Sequence, residues 1–282
     1  MFVDSHCHLV FPELSGRLEG VLHDMAQAQV AQALCICTTL EEFEAVHQLA
    51  RQHAQLWATV GVHPDSQGVR EPTEADLLER ARRERVLAIG ETGLDYYRLG
   101  ARTRADMAWQ RERFGVHVRA ARACGLPLVV HTREAAEDTL AILREEGGSA
   151  VGGVFHCFTE TLDVARSALD LGFHISFSGI LTFRNAAELR AVAAFVPLER
   201  CLIETDSPYL APVPYRGKVN SPAWVVHVAA ELARIKAVAM EEVAQATTRN
   251  FHNLFRPGQG QGAGFSEAAR VVEQQPGTSR VT

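Results

Sequence analysis

The sequence predicts an α/β fold closed as a (β/α)8 TIM-like barrel, and three observations predict it. Eight short apolar runs alternate with longer amphipathic stretches, the pattern of parallel strands joined by helices. Six histidines and carboxylates stand at or just past the C-terminal ends of five of those runs, the rim where barrels build active sites. The 282 residues suit eight such repeats in one domain. An open doubly wound sheet is the runner-up. Against it, no G-x-G-x-x-G or G-K-[ST] loop follows any apolar run.

Taken in order, strands are expected near Met1–Asp4, Ala33–Thr38, Leu56–Val60, Val86–Ile89, Leu128–His131, Gly153–His156, Phe173–Phe177 and Cys201–Glu204. Helices are expected over Leu18–Gln29, Leu40–His53, Glu74–Glu84, Arg104–Cys124, Ala135–Glu146, Thr161–Leu171 and Asn185–Phe195, with Pro222–Lys236 and Glu241–Phe255 after the last strand. Gly125-Leu126-Pro127 marks a helix end and a strand start, because glycine suits the C-terminal cap and proline cannot continue the helix. Thr39 and Thr161 each precede a helix they could cap. The barrel is expected to occupy residues 1–256. Gly, Gln and Pro dominate residues 257–282, which read as a flexible tail with a transient helical turn at Ser266–Glu273.

Composition narrows the function classes. Hydrophobic residues make up 47% and charged ones 22%, as in an ordinary globular protein with a large core. A formal net charge of −6 argues against a surface that coats nucleic acid broadly, while leaving room for a local basic cleft. None of the six cysteines forms a C-x-x-C pair, so a zinc ribbon or thioredoxin-type motif is not expected. Most sit in apolar runs as small buried hydrophobes, and reduced thiols in a cytoplasmic protein are the simplest reading. Cys7 and Cys157 neighbour histidines but, on strands, would face away from them. No signal-peptide pattern opens the chain and no apolar stretch is long enough to span a bilayer.

The chemistry collects at the strand ends. Asp4-Ser5-His6-Cys7-His8 places two imidazoles at i and i+2, on one face of a strand, where they can grip one divalent ion. Glu91, His131, His156 and Asp206 follow later strands. Burying one such group without a partner is unfavourable by roughly several kcal/mol, so six on one rim point to metal binding. Four histidines and two carboxylates exceed the needs of one tetrahedral ion. The set fits two divalent ions, with His6, His8 and Asp206 on one, His131 and His156 on the other, and Glu91 between them. Two such ions activate water and stabilise both oxygens of a phosphoryl displacement. Asp206 could also act as general base, and Glu204, on the strand face of Asp206, reads as support for the ligands or as a ligand itself.

The segments DSHCHL, GVHP, GETGLDYY, HTREA, HCF, ETDSPYL and RGKVNSP, in that order, resemble the TatD-related metal-dependent deoxyribonucleases among the amidohydrolase-like barrels. The resemblance runs from Asp4 to Pro222 and extends to Thr248-Arg249-Asn250 and Leu254-Phe255. It implies a barrel of the metallo-dependent hydrolase type and a divalent-metal requirement that Mg²⁺ or Mn²⁺ can meet, while four imidazoles as ligands suit Zn²⁺ or Mn²⁺ better than Mg²⁺. It also implies hydrolysis of DNA phosphodiester bonds, often stepwise from the 3′ end. It carries the ligand role onto His6, His8, Glu91, His131, His156 and Asp206, with Glu91 and Asp206 as the catalytic carboxylates. Val10 departs from the pattern, since many relatives are acidic there.

Substrate contacts are less distinct. Arg133 could meet a phosphate through its guanidinium fork or pair with Glu134 or Asp138. His63 reads either as a substrate hydrogen bond or as support for a ligand. Arg216, Lys218 and Asn220 could clamp a nucleic-acid backbone or solvate a loop. Phe158, Tyr96 and Tyr209 could stack on an unpaired base or pack in the core. The arginines between Arg80 and Arg113 are interleaved with glutamates and read as solvated helix faces. The acidic balance suits an enzyme holding single-stranded DNA or a 3′ end through few phosphate contacts. Two other classes remain open. One is an aminoacyl-tRNA ester deacylase or amidohydrolase using the same metals. No lysine falls at a strand end to bridge them, which points away from a carboxylated-lysine amidohydrolase. The other is a non-catalytic, metal-stabilised binding protein, whose ligands would lie close together in sequence.

Overall fold

The computed structural model describes residues 1–97 and 99–258. Its strands are β1 (Phe2–Cys7), β2 (Val30–Cys35), β3 (Leu56–Val60), β4 (Val86–Asp95), β5 (Leu128–Arg133), β6 (Gly153–Phe155), β7 (His174–Phe177) and β8 (Cys201–Ile203). Each pairs in parallel with the next, in chain order. Beyond the strand ends β1 meets β8. Cys7 bridges Ser207, Asp206 N–H donates to the His6 carbonyl at 2.9 Å, and His8 N–H donates to the Ser207 carbonyl at 2.8 Å. The sheet is therefore a nearly closed barrel, as the alternation predicts.

The helices are α1 (Pro12–Ser15), α2 (Leu18–Gln27), α3 (Phe43–Gln52), α4 (Glu74–Ala81), α5 (Ala108–Cys124), α6 (Ala136–Glu145), α7 (Leu162–Asp170), α8 (Ala187–Phe195), α9 (Val225–Lys236) and α10 (Met240–Phe255). Gly125 ends α5 in the left-handed conformation, at φ 71°. Thr161 caps α7 by accepting from Val164 N–H, whereas Thr39 accepts from Glu42 N–H in the turn ahead of α3. The sequence reading missed α1 and the reciprocal Thr73–Asp76 cap of α4. Arg98, the predicted tail from residue 259 and its helical turn at Ser266–Glu273 lie outside the described residues. No described helix is long and apolar enough to cross a membrane.

Strand side chains alternate between two cores. Val3, Leu34, Val129, Val154 and Leu202 pack together inside the barrel, while Phe2, Ala33, Leu128, Phe155 and Cys201 pack outward against the helices. Phe251 and Phe255 of α10 join the inner group. Asn250 ties α10 to the strand starts, donating to the Leu198 and Cys201 carbonyls at 2.9 Å each. That helix covers the N-terminal end of the barrel and leaves the C-terminal rim open.

Two irregularities re-aim the rim. Between Asp4 and Cys7, β1 advances three residues against two on β2, and between Ile89 and Thr92, β4 does the same against β5. An extra residue of this kind inverts the in-and-out alternation beyond it. Cys7 and Leu94 consequently face the outer core, while His6, His8, Glu91 and Asp95 share the interior. The expected end of the fourth strand at Ile89 is also corrected: pairing with β5 continues to Asp95, opposite Arg133. Gly93 permits it, because a Cβ there would overlap the His131 carbonyl.

Candidate metal centre

The rim holds a cavity of about 850 Å³ whose walls include His8, His63, Glu91, Asp95, His131, Arg133, His156, Asp206 and Tyr209. His6 lies buried beneath it. The two oxygens of Glu91 divide the histidines. Oε2 faces His6 Nε2 at 3.3 Å and His8 Nε2 at 4.0 Å; Oε1 faces His156 Nε2 at 2.7 Å, His131 Nδ1 at 3.2 Å and His63 Nε2 at 3.3 Å. Asp206 Oδ1 stands 3.3 Å from His8 Nε2 and 3.6 Å from His6 Nε2. All six residues expected to bind metal thus converge.

Hydrogen bonding gives a test of whether a cation fits. His131 Nε2 donates to Asp95 Oδ2 at 3.1 Å, and His156 Nδ1 donates to Glu204 Oε1 at 3.2 Å. When neutral, each ring presents its other nitrogen as a lone pair. Those nitrogens lie 3.3 Å apart and both point at Glu91 Oε1. Burial opposes charge on these rings, but Asp95 and Glu91 raise the pKa of His131, and Glu91 and Glu204 raise that of His156. The set is built to hold positive charge at that point, which a divalent ion would supply in place of the protons. On the other side, His6 Nε2 and His8 Nε2 lie 3.3 Å apart beside two carboxylates, with both Nδ1 atoms buried and without a partner among the described residues. The donor set fits divalent metal.

The fields agree. Burial opposes ionisation of Glu91, but His156, His63, His6 and the hydrogen bond from His131 hold its pKa well below the usual carboxylate range. Burial likewise opposes ionisation of Asp206, and His8, His6 and His156 hold it low. Both groups are thereby acceptors ready for a cation.

Glu204 stands behind the histidines. Its Oε1 accepts from His156 Nδ1 and, at 2.7 Å, from Cys157 N–H, and its other oxygen is buried without a partner among the described residues. The sequence reading missed Asp95, although it lies four residues past Glu91 and would share its face on an extended strand. It also missed Asp4. Asp4 accepts from Thr205 N–H at 2.9 Å, His6 N–H at 3.2 Å and Thr205 Oγ1 at 2.5 Å, which ties the first site strand to the loop carrying Asp206. Burial pushes the Asp4 carboxyl up to about 8 against those bonds. A buried acid in an apolar strand was the available signal.

Cys157 corrects the strand reading. β6 ends at Phe155, Cys157 adopts φ 42°, and its thiol lies at the cavity wall 3.1 Å from Ser178 Oγ. Cys7 does face away, toward the Leu34 carbonyl. Arg133 lines the cavity with its guanidinium 3.5 Å over the Tyr97 ring, and among the described residues it makes no ion pair. Tyr209 is 51% exposed at the mouth. Arg216 is not brought in: it lies exposed over the Phe183 ring. Asn220 is a buried bracket, donating to the Thr205 and Tyr209 carbonyls, and Phe158 and Tyr96 are buried. Arg83 and Arg119 pair with glutamates on helix surfaces, whereas Arg113 is buried.

The loop after β3 that carries His63 is held from α5. His117 Nε2 accepts from Val62 N–H at 2.9 Å, and its Nδ1 donates to the Arg113 carbonyl at 2.7 Å. Burial pushes His117 down to about 4 from an ordinary 6.5. Between those values the unfolded chain binds a proton that the folded one does not. Stability is therefore full above pH 6.5 and falls as pH drops toward 4, by about 3 kcal/mol in all. Urea titrations from about pH 4 to 7 should show this slope in the wild type and a shallower one in His117→Gln; equal slopes would contradict it.

Comparison with known proteins gives a consistent result. The family model described as TatD related DNase matches residues 3–256. The uncharacterized metal-dependent hydrolase YcfH of Escherichia coli K12 is 49% identical, covering 90% of this chain and 95% of its own. The corresponding YabD of Bacillus subtilis is 37% identical over 91% of this chain and 99% of its own. Among solved structures, YjjV, a TatD homolog from Escherichia coli K12, superposes with a TM-score of 0.82 at 30% identity, covering 90% of this chain and 98% of that one.

Proposed function

This chain belongs to the TatD-related DNase family, and on that premise we propose a metal-dependent deoxyribonuclease that shortens single-stranded DNA from the 3′ end at a two-ion site. The observation that carries the proposal is the convergence of His131 Nδ1 and His156 Nε2 on Glu91 Oε1, while Glu91 Oε2 faces His6 and His8. His6, His8 and Asp206 would hold one divalent ion, His131 and His156 the other, and Glu91 would span them. Bound Mg²⁺, Mn²⁺ or Zn²⁺ would acidify water and offset charge on the phosphoryl oxygens.

The chain's own residues supply the rest. Asp95 and Glu204 keep His131 and His156 in the tautomers that present lone pairs. Asp206, held ionised, accepts the proton of the attacking water. Arg133, with one face against Tyr97, offers its N–H edge to a phosphate. Tyr209 offers an exposed ring to an unpaired base. Arg216, on the rim outside the cavity, would act only on a longer strand.

The test is a time course on a 5′-labelled oligonucleotide with a single-stranded 3′ end. Metal-stripped enzyme is compared with enzyme given Mg²⁺, Mn²⁺ or Zn²⁺, beside Asp206→Ala. The expected result is a metal-dependent ladder shortening from the 3′ end and absent from the variant. No cleavage with any of the metals would overturn the nuclease reading and turn attention to carboxylic esters, beginning with aminoacyl-tRNA.

A further inference from the structure

The ring of His63 has a polarity opposite to that of its neighbours. Its Nδ1 lies 3.0 Å from the Asp65 backbone nitrogen. An amide N–H only donates, so Nδ1 accepts. A neutral ring that accepts at Nδ1 carries its hydrogen on Nε2, the nitrogen turned to the cavity, 3.3 Å from Glu91 Oε1. His131 and His156 are arranged the other way, with outer nitrogens donating to Asp95 and Glu204 and inner nitrogens bare. A metal binds the bare nitrogen of an imidazole, not an N–H.

We propose that His63 is a hydrogen-bond donor to a substrate oxygen rather than a metal ligand, and that Arg113 is the positioning residue that keeps it so. The identity of that oxygen as phosphoryl rests on the nuclease reading above. The His63 loop, residues 61–66, has no strand or helix of its own. Arg113, with a side chain only 2% exposed, reaches under it. Its Nη1 donates to the His63 carbonyl at 2.8 Å and the Ser66 carbonyl at 2.9 Å, with the Pro64 carbonyl at 3.5 Å, while the Nε and Nη2 fork grips Glu71 at 2.8 and 2.5 Å. Those carbonyls lie on both sides of Asp65, so Nη1, itself held by the fork on Glu71, fixes where the Asp65 N–H points, and that N–H fixes the ring. Burying a guanidinium is costly unless its donors are used. Here three of the acceptors belong to one short loop.

The experiment has readouts that do not depend on turnover. Metal-stripped protein is titrated with Mn²⁺ alone. His63→Ala should bind the wild-type number of ions, while His131→Ala should bind fewer. Long-range ¹H–¹⁵N spectra of the metal-stripped wild type should show His63 protonated at Nε2 and bare at Nδ1. Arg113→Lys, which keeps the charge but cannot reach three carbonyls, should show a mixture of the two forms. Glu71→Gln, at the exposed end of the same clamp, is a milder second variant expected to move the spectrum in the same direction.

On bis(p-nitrophenyl) phosphate, His63→Ala should lose about 100-fold in kcat, the size of one lost transition-state donor. His63→Gln, whose amide reaches the place of Nε2, should recover part of that, and His63→Asn should not. Arg113→Lys should lose about tenfold in kcat with KM unchanged, as a misplaced donor would. A missing Mn²⁺ equivalent in His63→Ala, or hydrogen on Nδ1 in the wild-type spectrum, overturns the donor role. An unchanged spectrum and kcat in both clamp variants overturns the role of Arg113. If wild type cleaves no phosphodiester, the nuclease reading fails, and the ion count and spectrum still decide this inference.

Discussion

Glu91→Gln is expected to abolish hydrolysis, by about 10⁴-fold or more, and to release bound metal with little loss of fold. The substitution keeps the shape of the side chain and removes its charge. Glu91 is 2% exposed and faces both histidine groups with separate oxygens, His6 and His8 through Oε2 and His131 and His156 through Oε1. An amide has one acceptor oxygen where the carboxylate has two. Its NH₂ would turn donors toward rings that have no spare acceptor except the nitrogens meant for metal. Both ion sites are then weakened together, and the loss should exceed that of a ligand serving one ion. Metal analysis after gel filtration, set beside kcat/KM at saturating Mn²⁺, measures it. Near-normal activity in metal-replete buffer would mean that Glu91 does not join two ions.

Asp206→Asn is expected to cost about 10³-fold in kcat, and more than metal loss alone explains. Asp206 Oδ1 faces His6 and His8, so it would take part in one ion site, and it lines the cavity where water would enter. A general base contributes about 10²–10⁴-fold. Asparagine can still offer an oxygen to a cation but cannot take a proton. The two roles separate by titration: added Mn²⁺ should restore occupancy of the variant without restoring turnover. Recovery of wild-type kcat at high Mn²⁺ would assign Asp206 to metal binding only. Its placement is supported from below, because Asp4 grips Thr205 through both backbone and side chain. The acid that orients the loop is thus remote from the acid that would react.

Parts of this site are legible in the amino-acid sequence alone. His6 and His8 are two apart, and the two-residue period of a strand puts them on one face whatever the tertiary fold. His131 ends a run of apolar residues, where an uncompensated polar group has to be explained. Asp95 is not legible in the same way. Its place on the face of Glu91, four residues back, depends on β4 continuing past Gly90 as far as Asp95. Glycine-rich GETG reads locally as a loop, and only the backbone of β5 turns it into strand. Arg113 escapes a sequence reading for a similar reason. In a run of arginines and glutamates it reads as surface, yet it is the member of that run that lies under the His63 loop.

The order of apolar runs and the residue types at their ends determined by themselves a parallel barrel and a rim rich in metal-binding groups, because strand period and burial cost act locally along the chain. Which nitrogen of each histidine faces the centre was decided only by the tertiary structure. That choice depends on the partner at the far side of each ring: Asp95 for His131, Glu204 for His156, and for His63 a backbone amide clamped by the distant Arg113. The imidazole is the same in all three, and the hydrogen bond on its far side sets whether it offers a lone pair or a proton.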